Sequence, residues 1–337
     1  MNYTGMDLAV KSSSVRMMTK DGEILREFEV PTTPEEIGRA LDAGQVGSLR
    51  VVIEACGISH WVADVIEGLG HEVVVIDPRS CKAVTSSKRK TDRLDARTLA
   101  HVLRSNFYTE TYRKGDQSRL LRSVLSVRGK LVSMRSDLGN QVRGILRSWN
   151  LKLSGSGWGR YSTRVYSDDF PQSLLPIVSP LVDLIEDLTR KIKAFDRSLG
   201  EKVRSNPSAR LLMSAPGVGP VTALAYMATI EDPHRFKKSR QVGSYLGLTP
   251  SVYQSGEVCY HGRITKHGDP MLRSYLVEAA NSILAVSKKW SWLKVWGLRI
   301  QKRSGPQKAR VAVARRLATV LHRMWVTQTP FDYSMAK

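Results

Sequence analysis

Short apolar runs broken by polar turns fill the first hundred positions. Tyr3 to Val10, Val15 to Thr19 and Ile24 to Val30 predict three strands joined by tight turns, the second turn at Lys20-Asp21-Gly22. Pro34 to Ala43 predicts a helix, Leu49 to Glu54 a buried strand, Ser59 to Leu69 a helix and Glu72 to Ile76 another strand. Three strands followed by helix and strand in alternation predict a mixed sheet covered by helices.

From Ser118 to Trp149 the period becomes helical. Val124, Val127, Leu131, Met134, Leu138 and Ile145 recur in steps of three and four, interrupted at Gln141, which is a heptad seam. A second seam, Leu181, Ile185, Leu188, Ile192, Phe195 and Leu199, follows a Gly/Ser-rich break at Ser154 to Arg160. The two helices are expected to form a coiled coil, with each other or across a dimer. Arg122, Arg128, Lys130, Arg135, Arg143 and Arg147 ride on the first, as a solvated face or one that meets a phosphate backbone. After Asn206-Pro207 a third, helix-rich part begins, with a loop-rich stretch from Gly247 to Asp269 and a last helix, Gln307 to Thr327, basic on one side. The expected parts are residues 1–112, 113–205 and 206–330.

Charge sharpens this division. Residues 1 to 77 hold 6 Lys/Arg against 13 Asp/Glu, a net of −7, whereas the whole chain of 337 residues carries +21, so the remainder carries +28. A surplus spread over helices is the footprint of a polyanion-binding protein, and no basic amphipathic tail or lipidation signal argues for a membrane surface instead. The longest uncharged stretch, residues 211 to 230, is cut by Pro216-Gly217-Val218-Gly219-Pro220 into pieces too short to span a bilayer. Cys56, Cys81 and Cys259 are odd in number and far apart, which excludes a disulfide framework and a paired-cysteine zinc site and suits a reducing cytoplasm.

Four carboxylates fall where phosphodiester chemistry needs them. Asp7 lies in the first strand, Glu54 ends a buried strand, and Asp92 and Asp95 stand three apart at the start of a helix running through Arg104, hence on one of its faces. The order of elements is that of an RNase H-like domain, in which the strands of Asp7 and Glu54 are neighbours. Clustered carboxylates repel unless neutralised, and two Mg²⁺ ions suit such hard oxygen donors. Singly, each residue also fits a structural role: Asp7 in a turn, Glu54 capping the next helix, Asp92 and Asp95 favouring a helix N-terminus.

Two further segments bear on nucleic acid. Pro216 to Pro220, flanked by helices, has the form of a helix-hairpin-helix in which Gly217 and Gly219 let backbone N–H groups approach a phosphate; a glycine turn between core helices is the alternative. Downstream, Gln254-Ser255-Gly256 precedes Arg263, Lys266, His267 and Arg273, cations able to balance charge at phosphorus or contact nucleic acid. Alone, Ser-Gly is no more than a turn signal.

Gly5-Met6-Asp7, Val52-Ile53-Glu54-Ala55-Cys56-Gly57, Lys90-Thr91-Asp92-Arg93-Leu94-Asp95-Ala96 and the later hairpin and serine segments resemble transposases of the insertion sequence one-ten/eleven-eleven family. The resemblance spans nearly the whole chain. It implies a RuvC-like domain with an Asp-Glu-Asp-Asp tetrad at Asp7, Glu54, Asp92 and Asp95, a coiled-coil middle and a helix-rich transposase domain in which Ser255, rather than Ser251, is the nucleophile. A tyrosine recombinase using Tyr253 or Tyr260 runs against the family pattern. The implied activity is Mg²⁺-dependent cutting and rejoining of donor and target DNA through a 5′-phosphoserine in a bacterial or archaeal cytoplasm, by a homo-oligomer and with a structured guide RNA as in some members. A structure-selective nuclease using metal-activated water and a non-enzymatic nucleic-acid binder remain open on the residues alone.

Overall fold

Alternation in the first 76 residues becomes a five-stranded sheet in the order β3-β2-β1-β4-β5: β1 Asn2–Asp7, β2 Ser12–Met18, β3 Ile24–Pro31, β4 Leu49–Glu54 and β5 Glu72–Ile76. Strands β1, β2 and β3 pair antiparallel, while β4 runs parallel to β1 and β5 parallel to β4. The computed structural model describes residues 2–42, 47–77, 92–155, 157–256 and 258–334, without the side chains of residues 92–94 and 261. It divides into two compact units, residues 1–114 and 115–337.

In the first unit, side chains alternate between two helix-covered faces. Met6, Val51, Ile53 and Val75 meet Ile37 of helix α1 (Pro34–Ala40) and Val62 and Ile66 of α2 (Ser59–Gly68). Helix α1 starts where Thr33 accepts a bond from the Glu36 amide, with proline next in line. On the other face Tyr3, Val52, Val74 and Ile76 pack on Leu99, Val102 and Leu103 of α3 (Asp92–Ser105). Strand β2 begins earlier than its apolar run because Ser13 is satisfied inside the sheet: its hydroxyl lies 2.8 Å from that of Thr32, which donates to the Ala9 carbonyl.

The second unit is helical apart from one hairpin. Helices α4 (Asp116–Ser148) and α6 (Leu175–Arg204) lie antiparallel, with α5 (Arg160–Val165) packed beside them. The predicted seam on α4 is displaced. Its buried positions are Leu125, Gly139, Val142 and Leu146, whereas Val127 and Met134 are exposed. Periodicity missed the true seam because two of its members are arginines: Arg128 donates to Asp196 at 2.6 Å, and Arg135 donates to Thr189 and covers the Trp158 ring. On α6 the expected Ile185, Leu188, Ile192 and Leu199 are buried.

Leu125, Leu199 and Val203 continue into the core built by α7 (Pro207–Leu212), α8 (Pro220–Ile230), α9 (Gln241–Tyr245), α10 (Pro270–Asn281), α11 (Trp292–Ser304) and α12 (Pro306–Thr327), whereas Val142, Leu146, Tyr161, Val178 and Val182 form a separate core at the other end of α4 and α6. The stretch expected to be loop-rich contains an antiparallel hairpin, β6 (Pro250–Ser255) and β7 (Val258–Ile264).

Helix α3 approaches β1 more closely than a side chain allows. A Cβ on Gly5 would stand 2.1 Å from the Ala96 carbonyl oxygen and 2.5 Å from the Ala100 nitrogen. Because both obstacles are backbone, Gly5→Ala is expected to cost the first unit about 2–3 kcal/mol, read as a lower midpoint in thermal or denaturant unfolding. Gly57→Ala, where a Cβ meets nothing within 4 Å, is the control; equal stability of the two variants would contradict the close-approach argument.

Candidate active site and nucleic-acid interface

Asp7 and Glu54 end adjacent parallel strands at the same level, since Met6 pairs with Ile53. Each lies two residues beyond one that faces α3: Asp7 follows Gly5, which touches that helix, and Glu54 follows Val52. Alternation therefore gives Asp7 and Glu54 the same face. Helix α3 runs opposite to β1, with Ala96 over Gly5 and Arg104 reaching the Lys20 carbonyl beyond the start of β1. Its first turn, with Asp92 and the half-buried Asp95, thus lies at the Asp7 end.

Lys90, Thr91 and the Asp92 side chain fall outside the described residues, among which no three His, Cys, Asp or Glu side chains form a ready metal cluster. Further along α3 the sign of charge reverses. Burial, then Arg97, Arg104 and Arg16, hold His101 below its ordinary pKa, so it is neutral at pH 7.

Ser255 is the last residue of β6 and is exposed, followed by Gly256 with φ +55°. Tyr253 and Tyr260 pair across the hairpin with stacked rings 5.0 Å apart, and alternation sets Ser255 on their face, nearer the tip. Ser251 sits at the base and donates its hydroxyl to the Arg263 carbonyl. The cations named downstream are not gathered at Ser255. Arg263 is near the base of β7, where Pro250 pairs with Ile264, and Lys266 and His267 lie beyond the strand. At about 3.3 Å per residue, five residues of strand separate Ser255 from that base by roughly 16 Å. The period-2 recurrence of Val258, Tyr260 and Ile264 along β7 was the signal for this hairpin, obscured because residues on both of its faces are exposed.

In the glycine turn, Gly217 has φ +73° and a Cβ there would meet the Ala279 carbonyl at 2.5 Å. Its glycine is explained by packing on α10, the structural alternative. Gly219, at the N-cap of α8, has open space where a Cβ would go and is the member of the pair with room for a ligand.

Residues 4–150 match the model of the DEDD transposases of IS110 type, and residues 209–295 match that of the transposase IS116/IS110/IS902 family; together the matches take in more than half of the chain. The transposase for insertion sequence element IS1111A of Coxiella burnetii is 28% identical over 88% of this chain and 83% of its own. The transposase for insertion sequence element IS1328 of Yersinia enterocolitica is 28% identical over 68% and 69%, and the pilin gene-inverting protein of Moraxella lacunata 23% over 85% and 82%.

Inside the second matched span, two residues from the segment after the hairpin hold the fold. Asp269 caps α10 by accepting the Leu272 amide at 2.7 Å and also takes an ion pair from Arg122 of α4, which bonds Thr229 as well. Arg273 donates to the carbonyls of Leu246 and Gly268, both at 3.0 Å, so the charge expected on nucleic acid is engaged within the protein. Asp269→Ala removes the cap and leaves a half-buried arginine without its carboxylate. It is expected to destabilise the second unit by on the order of 3 kcal/mol, and Asp269→Asn, which keeps the cap, by less. Calorimetric unfolding of both variants checks this; identical midpoints would show that the ion pair and cap contribute nothing.

Proposed function

The chain belongs to the IS116/IS110/IS902 family of insertion-sequence transposases, and from that premise we propose that it cuts and rejoins DNA through a phosphoserine at Ser255, together with a metal-binding tetrad of Asp7, Glu54, Asp92 and Asp95. The observation that carries this reading is the common face and edge of Asp7, Glu54 and the first turn of α3, within the span matched by the DEDD model. The sheet order β3-β2-β1-β4-β5, with three antiparallel strands continued by parallel ones, supports an RNase H-like assignment of the first unit.

The donor set is all carboxylate oxygen, the set that hard divalent cations prefer. Mg²⁺ held there supplies positive charge against a phosphodiester and lowers the pKa of an attacking hydroxyl. Glu54 and Asp7 are fixed by strand register and Asp95 by the helix packed on Gly5, so the ligands are held by backbone rather than by mobile loops.

Ser255 offers an accessible hydroxyl on a protruding hairpin. Attack of its oxygen on phosphorus forms a serine ester and releases a 3′-hydroxyl; the ester keeps the energy of the broken bond, which rejoining without an external energy source requires. The name of the Moraxella relative, a gene-inverting protein, favours such rejoining over simple hydrolysis. The +28 surplus after residue 77 supports DNA and a structured guide RNA as partners, and handling several strands with one serine per chain calls for a homo-oligomer.

Asp7→Asn and Asp92→Asn should abolish strand cleavage of supercoiled donor DNA with the fold retained. Ser255→Ala should bind DNA but form no covalent adduct, whereas Ser251→Ala should remain active. Mass spectrometry of protein trapped on a nicked substrate is expected to find a nucleotide on Ser255; an adduct on Tyr253 or Tyr260, or normal recombination by Ser255→Ala, would overturn the mechanism.

A further inference from the structure

The base of the hairpin and the start of α12 enclose an open cleft of about 830 Å³. Leu248, Pro250, Ile264, Val311 and Ala312 supply an apolar lining, while Arg263, Lys266, Lys308 and Arg315 supply its charges. No carboxylate lines it among the described residues. An apolar interior ringed only by cations suits a flat, uncharged group carried on a polyanion, which is a nucleobase between its phosphates.

The cleft continues. Arg315 also lines a second cleft of about 440 Å³, with Arg240 and Trp296, and Arg316 and Thr319 connect that one to a third of about 570 Å³ that includes Arg323. Lys308, Arg315, Arg316 and Arg323 are exposed along one helix. At about 1.5 Å per residue they extend over roughly 22 Å of α12, a length that can follow several phosphates of a strand.

We infer that this cleft takes an unpaired base of the DNA strand handled by the second unit, with the following phosphates laid along α12. The choice of DNA rests on the proposed function: Pro250, Arg263 and Ile264 belong to the same hairpin that carries Ser255, so a base seated here lies roughly 16 Å along the strand from the serine. A paired base cannot enter, because its faces are covered by its neighbours in the stack.

The test uses full-length, nuclease-treated Ser255→Ala protein, whose binding is measured without any adduct, so failure of the serine mechanism leaves this result readable. A single-stranded oligodeoxyribonucleotide containing 2-aminopurine should bind more tightly than its duplex and its RNA counterpart, with a rise in fluorescence as the base leaves its stack. Ala312→Trp fills the cleft and should weaken single-strand binding about tenfold with the salt dependence unchanged. Lys308→Gln with Arg315→Gln should instead lower the slope of log affinity against log salt by about 1.4, two phosphate contacts on a single strand. Undiminished binding by folded Ala312→Trp, no fluorescence change with the filled or unfilled cleft, or tighter binding of the duplex or of RNA would each overturn the assignment. The fluorescence of the protein with its native cleft keeps the test open should Ala312→Trp fail to fold.

Discussion

The first unit depends on the contact between α3 and β1 at Gly5. A helix seated on strand backbone, with no side chain between them, fixes both the distance and the register of the two elements. That register sets Ala96 over Gly5, and hence the first turn of α3 at the end of the sheet where Asp7 and Glu54 stand. Carboxylates repel one another and are poor builders of their own cluster. The elements that carry Asp7, Glu54 and Asp95 are instead positioned by apolar packing elsewhere along them, Tyr3 and Val52 against Leu99, Val102 and Leu103.

This dependence explains what could be read before the structure. Strand β4 was legible as an apolar run because it is buried on both faces, and the helical run from Asp92 to Arg104 placed Asp92 and Asp95 in one first turn of α3. The polar opening of β2 was not legible, since Ser13 is accepted into the sheet only through the hydroxyl of Thr32, a partner 19 residues away. On α4 the error had the same origin. Hydrophobic periodicity treats arginine as a surface residue, but Arg128 and Arg135 occupy the helix contact with Asp196, Thr189 and Trp158 as partners.

Partner choice also determines which basic residues remain for nucleic acid. Arg122, Arg128 and Arg273 are engaged by protein acceptors, whereas Lys308, Arg315, Arg316 and Arg323 are exposed on α12. Net charge does not separate these groups. A carbonyl or carboxylate within hydrogen-bond distance does, and no sequence pattern reports it. Gly217 makes the same point for backbone: the motif names a phosphate-binding turn, but the Ala279 carbonyl already accounts for the missing side chain.

Charge is distributed between the two parts in a way that affects how they engage DNA. The second unit lies wholly within the region of surplus positive charge, so attraction to a polyanion there needs no cofactor and weakens with salt. Residues 1–77 carry −7, a charge that includes Asp7 and Glu54 at the edge where the tetrad is proposed, while residues 78–114 carry +7, so the first unit as a whole is neutral and its carboxylate edge repels a polyanion only locally. Under the proposed function, divalent cations change the sign of that edge. DNA binding and DNA cleavage then respond oppositely to their environment, the first falling with monovalent salt and the second requiring multivalent cations. Under that reading the basic helices of the second unit attract DNA whether or not the divalent cation is bound, and cleavage waits on the cation.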